Sequence, residues 1–233
     1  YDESNLFGLA PNFGCCAANM HQGWPKLSGA LFMAHPDGVA APVYAPCTAR
    51  VDVRGTAVRF IETTDYPFDE TISIVIDDIE NTEQSLAFSL LLRVPGWASA
   101  FELRLNEEPL TPEPKNGYLR LDRRFCAGDR ITLRFPMPLR LQSEAAGGVT
   151  LRRGPLLLAL PVEATRRVLR GQEPFADYEM LPRSEWRYGI VESELVQARI
   201  EQSEPGNQPF GGDAPPLRVR IPLAPASQWR IRQ

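Results

Sequence analysis

The chain has 233 residues and a formal net charge of −4, from 25 basic and 29 acidic side chains. It has no basic tract, and Arg50, Arg54, Arg120 and Arg134 alternate with apolar residues as on the wet side of strands; the charge therefore argues against nucleic-acid binding. Hydrophobic residues make up 43%, enough for a core, and no apolar run approaches the roughly 20 residues of a helical membrane span.

The opening, Tyr1-Asp2-Glu3-Ser4-Asn5-Leu6-Phe7, reads as sequence from inside a domain, and a longer parent polypeptide is expected. Residues 1–14 are irregular. A short helix is expected within 15–33, interrupted or kinked by Gly23 and Pro25. Ala34-His35-Pro36-Asp37-Gly38 is a turn signal.

Beyond this turn the sequence alternates with the period of β-strands. Val39–Tyr44 is the first expected strand. Ala49–Val53 and Val58–Thr63 flank a hairpin turn at Arg54-Gly55. Thr71–Ile76, Leu86–Val94, Phe101–Leu105, Tyr118–Leu121 and Ile131–Phe135 come next, separated by turns at Tyr66–Glu70, Asn106–Pro109 and Gly128-Asp129. The pattern predicts antiparallel sheets packed face to face. Gln142–Gly148 is a linker or loop, after which a second β-rich unit begins. It holds an apolar strand at Leu156–Leu160, a strand around Trp186-Arg187-Tyr188 and an alternating stretch, Leu217–Leu223. Residues 163–185 show little regularity, and 202–216 read as a loop.

The chemistry-bearing stretch is Gly14-Cys15-Cys16-Ala17-Ala18-Asn19-Met20-His21-Gln22-Gly23-Trp24-Pro25-Lys26. Four cysteines do not make a disulfide scaffold, and adjacent cysteines bridge only with strain. Thiols or metal thiolates are expected instead. Cys47 and Cys126 are free to pair or not as far as the sequence goes. At a loop or helix start two neighbouring thiolates can converge on one soft or borderline ion such as zinc, and the free N–H groups there favour the anion. Cys15 and Cys16 are thus candidate metal ligands and Cys15 a candidate nucleophile. Burial as small hydrophobes is the competing reading. His21 and His35 are the only histidines; with the cysteines they would make up four ligands, though not in a compact zinc-loop spacing.

Adjacent carboxylates, the pairs glycosidases use, occur at Asp69-Glu70, Asp77-Asp78 and Glu107-Glu108, all in turn or strand-end contexts. Glu62 and Asp65 flank Tyr66-Pro67-Phe68 and stand out slightly more, with a structural turn as the simpler reading. Trp24, Trp97, Trp186 and Trp229 can serve either as sugar-stacking faces or as core.

The Gly14–Lys26 stretch resembles the β-L-arabinofuranosidase family, glycoside hydrolase family 127, as do Val43-Tyr44-Ala45-Pro46, Glu62–Phe68, Leu92-Arg93-Val94-Pro95-Gly96-Trp97, Gly117-Tyr118, Gly128-Asp129 and Leu151–Leu156. The resemblance implies a catalytic (α/α)6 barrel followed by β-sandwich domains, with this chain as the barrel's tail plus the sandwiches. It implies Cys15 as nucleophile and zinc contact and Cys16 as a zinc ligand. A glutamate and a further cysteine upstream would complete the metal site, and another upstream glutamate would act as acid/base. The family's usual Cys-Cys-Pro-Pro-Asn is Cys15-Cys16-Ala17-Ala18-Asn19 here.

The expectation is therefore a mainly β chain: residues 1–37 as the tail of a helical barrel, 38–142 as a first antiparallel sandwich, and 143–233 as a second β-rich unit. The parent is expected to be a zinc-dependent retaining hydrolase of β-L-arabinofuranosides or related plant glycans. The 233-residue chain by itself is expected to be inactive. The alternative is a non-catalytic sandwich that binds glycan or supports the barrel.

Overall fold

The computed structural model describes Asn19 and residues 21–144, 148–173, 176–211 and 214–227. The fold is mainly β with short helical pieces. Its centre is a two-sheet sandwich. One sheet contains β1 (Met33–His35), β2 (Gly38–Ala41), β6 (Ser85–Arg93) and β9 (Tyr118–Cys126), in the order β1-β2-β6-β9. The other contains β3 (Cys47–Val53), β4 (Thr56–Thr64), β5 (Thr71–Ile79), β7 (Glu102–Leu105), β8 (Glu108–Leu110) and β10 (Arg130–Arg134), in the order β3-β4-β5-β10-β7-β8.

Period-two patterning explains why these segments pair. Ile72, Ile74 and Ile76 of β5, Leu90 and Leu92 of β6, Leu119 of β9, and Ile131 and Leu133 of β10 are fully buried in one cluster that draws on both sheets. Each such side chain contributes on the order of 1.5–3 kcal/mol of burial. Aromatic rings tie the faces together: Phe60 of β4 lies edge-on to Phe88 of β6 at 6.3 Å and stacks on Phe32 at 5.0 Å.

The Arg54-Gly55 turn forms as expected. Both residues have positive φ (54° and 85°), as a two-residue hairpin matched to strand twist requires, and Asp52 Oδ1 accepts from Gly55 N–H at 3.0 Å. The strand expected at Tyr118–Leu121 runs on to Cys126 as one nine-residue strand, β9, paired along its length with β6.

Two departures from expectation have physical reasons. The pairing is not wholly antiparallel, because β2 runs parallel to β6 with Gly38 opposite Ser89. Gly23 and Pro25 do not interrupt α1 but lie in its first turn: Asn19 is helical, His21 and Gln22 form a turn, and α1 spans Gly23–Ser28. The first N–H groups of a helix have no intrahelical partner, so proline there forfeits no bond.

Beyond the sandwich, β11 (Leu139–Ser143), β12 (Val149–Arg153) and β13 (Leu156–Leu158) form a three-stranded sheet, so the 142–148 stretch connects two paired strands. Residues 163–185, read as irregular, hold a hairpin of β14 (Ala164–Arg170) and β15 (Asp177–Pro182) with a bulge between Val168 and Arg170. Every β14 residue is exposed, so no buried stripe marked it in the sequence. A 3-10 helix (Glu192–Gln197) precedes β17 (Arg199–Gln202), which pairs with β18 (Leu217–Arg220). β16 (Tyr188–Ile190) pairs with β19 (Leu223–Pro225). Among the described residues no helix is long and apolar enough to cross a membrane.

Candidate functional site

Cys15 and Cys16, the two residues singled out as nucleophile and metal ligands, lie outside the described residues. A few positions past the pair, Gln22 Nε2 donates to Asn19 Oδ1 at 2.8 Å, and α1 carries no buried residue. Trp24, on this helix, is 75% exposed. His21 is exposed. His35 stands on β1, where its Nδ1 accepts from Asp37 N–H at 3.2 Å. Among the described residues no group of three or more His, Cys, Asp or Glu side chains is placed to hold a metal ion. The described residues therefore do not supply a zinc site. Cys47 and Cys126 are both free thiols, not a bridge.

The carboxylate pairs are mostly structural. Asp69 Oδ1 accepts from Thr71 N–H at 2.8 Å, closing the turn into β5. Asp77 is paired with Arg59. Glu107 and Glu108 are exposed at the β7–β8 turn, where Glu107 has φ 69°. Glu70, read as a solvated turn residue, instead joins two guanidiniums. It accepts from Arg134 Nη2 at 2.6 Å and Arg153 Nη2 at 3.4 Å, and from Met137 N–H at 2.9 Å. Arg153 is only 5% exposed and also donates to Phe68 O at 2.9 Å. Gln202 donates to the same carbonyl at 2.7 Å. This cluster joins β10, β12 and β17 to the β4–β5 turn. Its arginine sat in a polar-looking Arg152-Arg153-Gly154-Pro155 stretch, which hid its burial from the sequence.

A second polar cluster lies on the outer side of β6. Ser89 donates to Asp122 and accepts from Arg120 Nη2, while Arg120 also reaches Asp37 at 3.0 Å. The serine's proton and oxygen are both committed, and the cluster ties β6 to β9 and to the β1–β2 turn.

Glu62 does not lie in the Tyr66-Pro67 turn. It is near the end of β4, on the buried alternation with Val58, Phe60 and Thr64, and is 2% exposed. Neither carboxyl oxygen has a hydrogen-bond partner among the described residues. Burial pushes its pKa up to about 8; the Ala45 amide dipole partly offsets this without closing a bond of standard geometry. Cys47, its cross-strand partner on β3, is pushed up to about 11, first by its own burial and then by the Glu62 charge. Tyr44, whose hydroxyl donates to Arg93 O at 2.6 Å, is raised by burial and next by Glu62. Trp97 is half-buried, edge-on to Phe135 at 5.9 Å, and its carbonyl accepts from Arg140 Nη1. Of the described tryptophans, only Trp24 presents an exposed face; Trp229 lies outside the described residues.

A two-sheet β-sandwich followed by smaller β units, with a cysteine pair just ahead of it in the chain, is the arrangement found here. Residues 38–137 match the family described as "Beta-L-arabinofuranosidase, GH127 middle domain". Among solved structures it is similar to a GH127 β-L-arabinofuranosidase from Geobacillus stearothermophilus T6: 22% identity, 92% of this chain and 35% of that one, TM-score 0.58. A protein titled "Glycoside hydrolase" is similar at 17% identity, over 94% of this chain and 38% of its own, with TM-score 0.57. A GH127 β-arabinofuranosidase is similar at 18% identity, over 92% and 36%, also with TM-score 0.57. At these identities the likeness is one of fold. The chain spans little more than a third of the length of these proteins. No curated protein matches it.

Proposed function

We propose that this chain is the non-barrel portion, with the barrel's tail, of a retaining glycoside hydrolase of the GH127 type. Its substrates would be β-L-arabinofuranosides or related plant glycans. The observation that carries this reading is the GH127 middle domain at 38–137, preceded directly by the Gly14–Lys26 stretch with its cysteine pair. In this reading the barrel's tail, expected over residues 1–37, ends before Leu31, because Leu31 and Phe32 are buried in the sandwich core and β1 pairs with β2. The first sandwich comes next, and β11 counts with the second β unit because it pairs with β12.

Cys15 is the nucleophile. Its sulfur attacks the anomeric carbon as the glycosidic C–O bond breaks, and a carboxylic acid from the upstream barrel protonates the departing oxygen. Water, giving its proton to the carboxylate left by the first step, then forms the new C–O bond as the C–S bond breaks and the thiolate returns. Zinc belongs to the reading through the resemblance alone, with Cys15 and Cys16 as its ligands from this chain; a bound zinc ion would help keep the sulfur deprotonated.

In the full-length protein, Cys15→Ser is expected to lower turnover by a factor on the order of 10³ or more while leaving the β-sheet circular dichroism unchanged. The 233-residue chain alone is expected to be inactive. The exposed Trp24 favours a second reading, a glycan-binding module. That reading predicts sugar binding that is lost in Trp24→Ala and indifferent to Cys15. Full turnover in the Cys15→Ser protein would overturn the catalytic reading.

A further inference from the structure

We infer that the Glu62 carboxyl is a proton-operated latch at the Tyr44–Cys47 end of the sandwich: neutral, it stays packed inside, and ionised, it drives that end open toward water. The inference does not depend on the proposed activity.

Glu62 is 2% exposed, and both its oxygens lack a partner among the described residues. An isolated carboxylate is too costly to bury, so such a group either neutralises or finds solvent. Compare Glu70, whose charge is met by Arg134, Arg153 and the Met137 amide. The groups around Glu62 offer nothing equivalent. From β3, Cys47 lies directly opposite it as a neutral thiol and supplies no positive charge. From β5, its partner is Ile74, which does not titrate. From the segment before β3, Tyr44 has its hydroxyl proton committed to Arg93 O. Tyr66 lies edge-on to Tyr44 at 6.1 Å. The Arg93 guanidinium reaches outward, donating to Pro42 O at 3.3 Å. No described lysine, arginine or histidine forms an ion pair with Glu62.

The sign comes from linkage. With its pKa raised from 4.5 to about 8, Glu62 holds a proton in the folded protein that the unfolded chain releases. Its contribution to stability is therefore fully present below pH 4.5 and is lost as pH rises through 8. Within that window the term amounts to one proton, an approximately tenfold fall in the folding constant per pH unit. Glutamine is the neutral isostere of the closed form and removes the term.

The test has two parts, both on the intact chain. The Glu62 side-chain carbon is titrated by NMR in the wild-type protein. The pH slope of urea stability from pH 5 to 8, with amide exchange at 44–47 and 62–66, is compared between wild type and Glu62→Gln. The expected result is a Glu62 titration far above the ordinary carboxylate range, amide protection at those segments that falls as pH rises in wild type but not in Glu62→Gln, and a slope shallower by about one proton in Glu62→Gln. A Glu62 that titrates near its ordinary 4.5, or an unchanged slope in a folded Glu62→Gln, would overturn the latch. If that variant does not fold, the wild-type titration decides alone.

Discussion

Gly38→Val is expected to cost about 4 kcal/mol or more, the range reached only by severe core or backbone lesions, and to strip β1 and β2 from the sandwich. A Cβ at this position would lie 2.1 Å from Ser89 O, 2.7 Å from Ser89 N and 2.9 Å from Ser89 C. These are all backbone atoms of β6, an inner strand of that sheet, so no rotamer change relieves the contact. The strands must part, and Ser89 N–H would lose its bond to Asp37 O, now 2.9 Å. Val39 and Ala41, both fully buried, would come out with β2. Against a typical total of about 5–15 kcal/mol, and about 2–4 °C per kcal/mol for a chain of this size, the melting temperature should fall by roughly 10 °C or more. A thermal melt followed by circular dichroism measures this. A shift of only a degree or two would mean that β2 and β6 are not this close.

The second large effect is expected at the joint between the sandwich and the sheet of β11, β12 and β13, and it is asymmetric. Glu70→Ala leaves the Arg153 guanidinium buried with a single carbonyl, Phe68 O, as acceptor. Stranding a buried charge in this way costs about 3–5 kcal/mol. Arg153→Met removes the charge and keeps much of the volume, while Glu70 retains Arg134 at 2.6 Å and the Met137 amide at 2.9 Å. It should therefore cost much less, because an apolar side chain of similar size is often a neutral replacement for a buried ion. Urea unfolding of the two variants decides the matter. Equal losses would show that packing, not stranded charge, governs the joint. Gly154 adds a constraint nearby, since its φ is +55° and a Cβ there would meet Met137 Sδ at 2.6 Å. Substitutions at 154 therefore disturb the same joint by another route.

Much of the sandwich was legible because most of its strands carry long stretches of alternation bounded by turn residues. The Arg54-Gly55 hairpin and the run of β5 isoleucines needed nothing more than that period. What escaped was information held by partners distant in the chain. The parallel pairing of β2 with β6 depends on a glycine meeting Ser89, which no local pattern announces. Arg153 looks exposed in Arg152-Arg153-Gly154-Pro155, and only the arrival of Phe68 and Glu70 from some 85 residues earlier makes it buried.

Glu62 is an intermediate case. The phase of Phe60, Glu62 and Thr64 already pointed inward, but the Thr-Asp-Tyr-Pro run just after it drew the residue into a turn. The β14–β15 hairpin escaped for the opposite reason. Arg166, Arg167 and Arg170 are interspersed with exposed Val168 and Leu169, so no face is buried to set a period. Its cross-strand ion pairs, Arg167 with Glu179 and Arg170 with Asp177, become visible only once the two strands are aligned.

The proposed site was legible as a motif and through a resemblance, not as geometry. Two adjacent cysteines state a chemical capability, and the stretch downstream of them, 38–137, matches the GH127 middle-domain family. The central claim is that the Cys15 sulfur becomes covalently attached to sugar. It is tested most directly by mixing the full-length protein with an arabinofuranoside carrying an activated leaving group and mapping the quenched protein by peptide mass spectrometry. The account predicts one pentosyl adduct, on the peptide that contains Cys15, absent in Cys15→Ser. Turnover of that substrate with no adduct at Cys15, or with the adduct on a carboxylate, would contradict it.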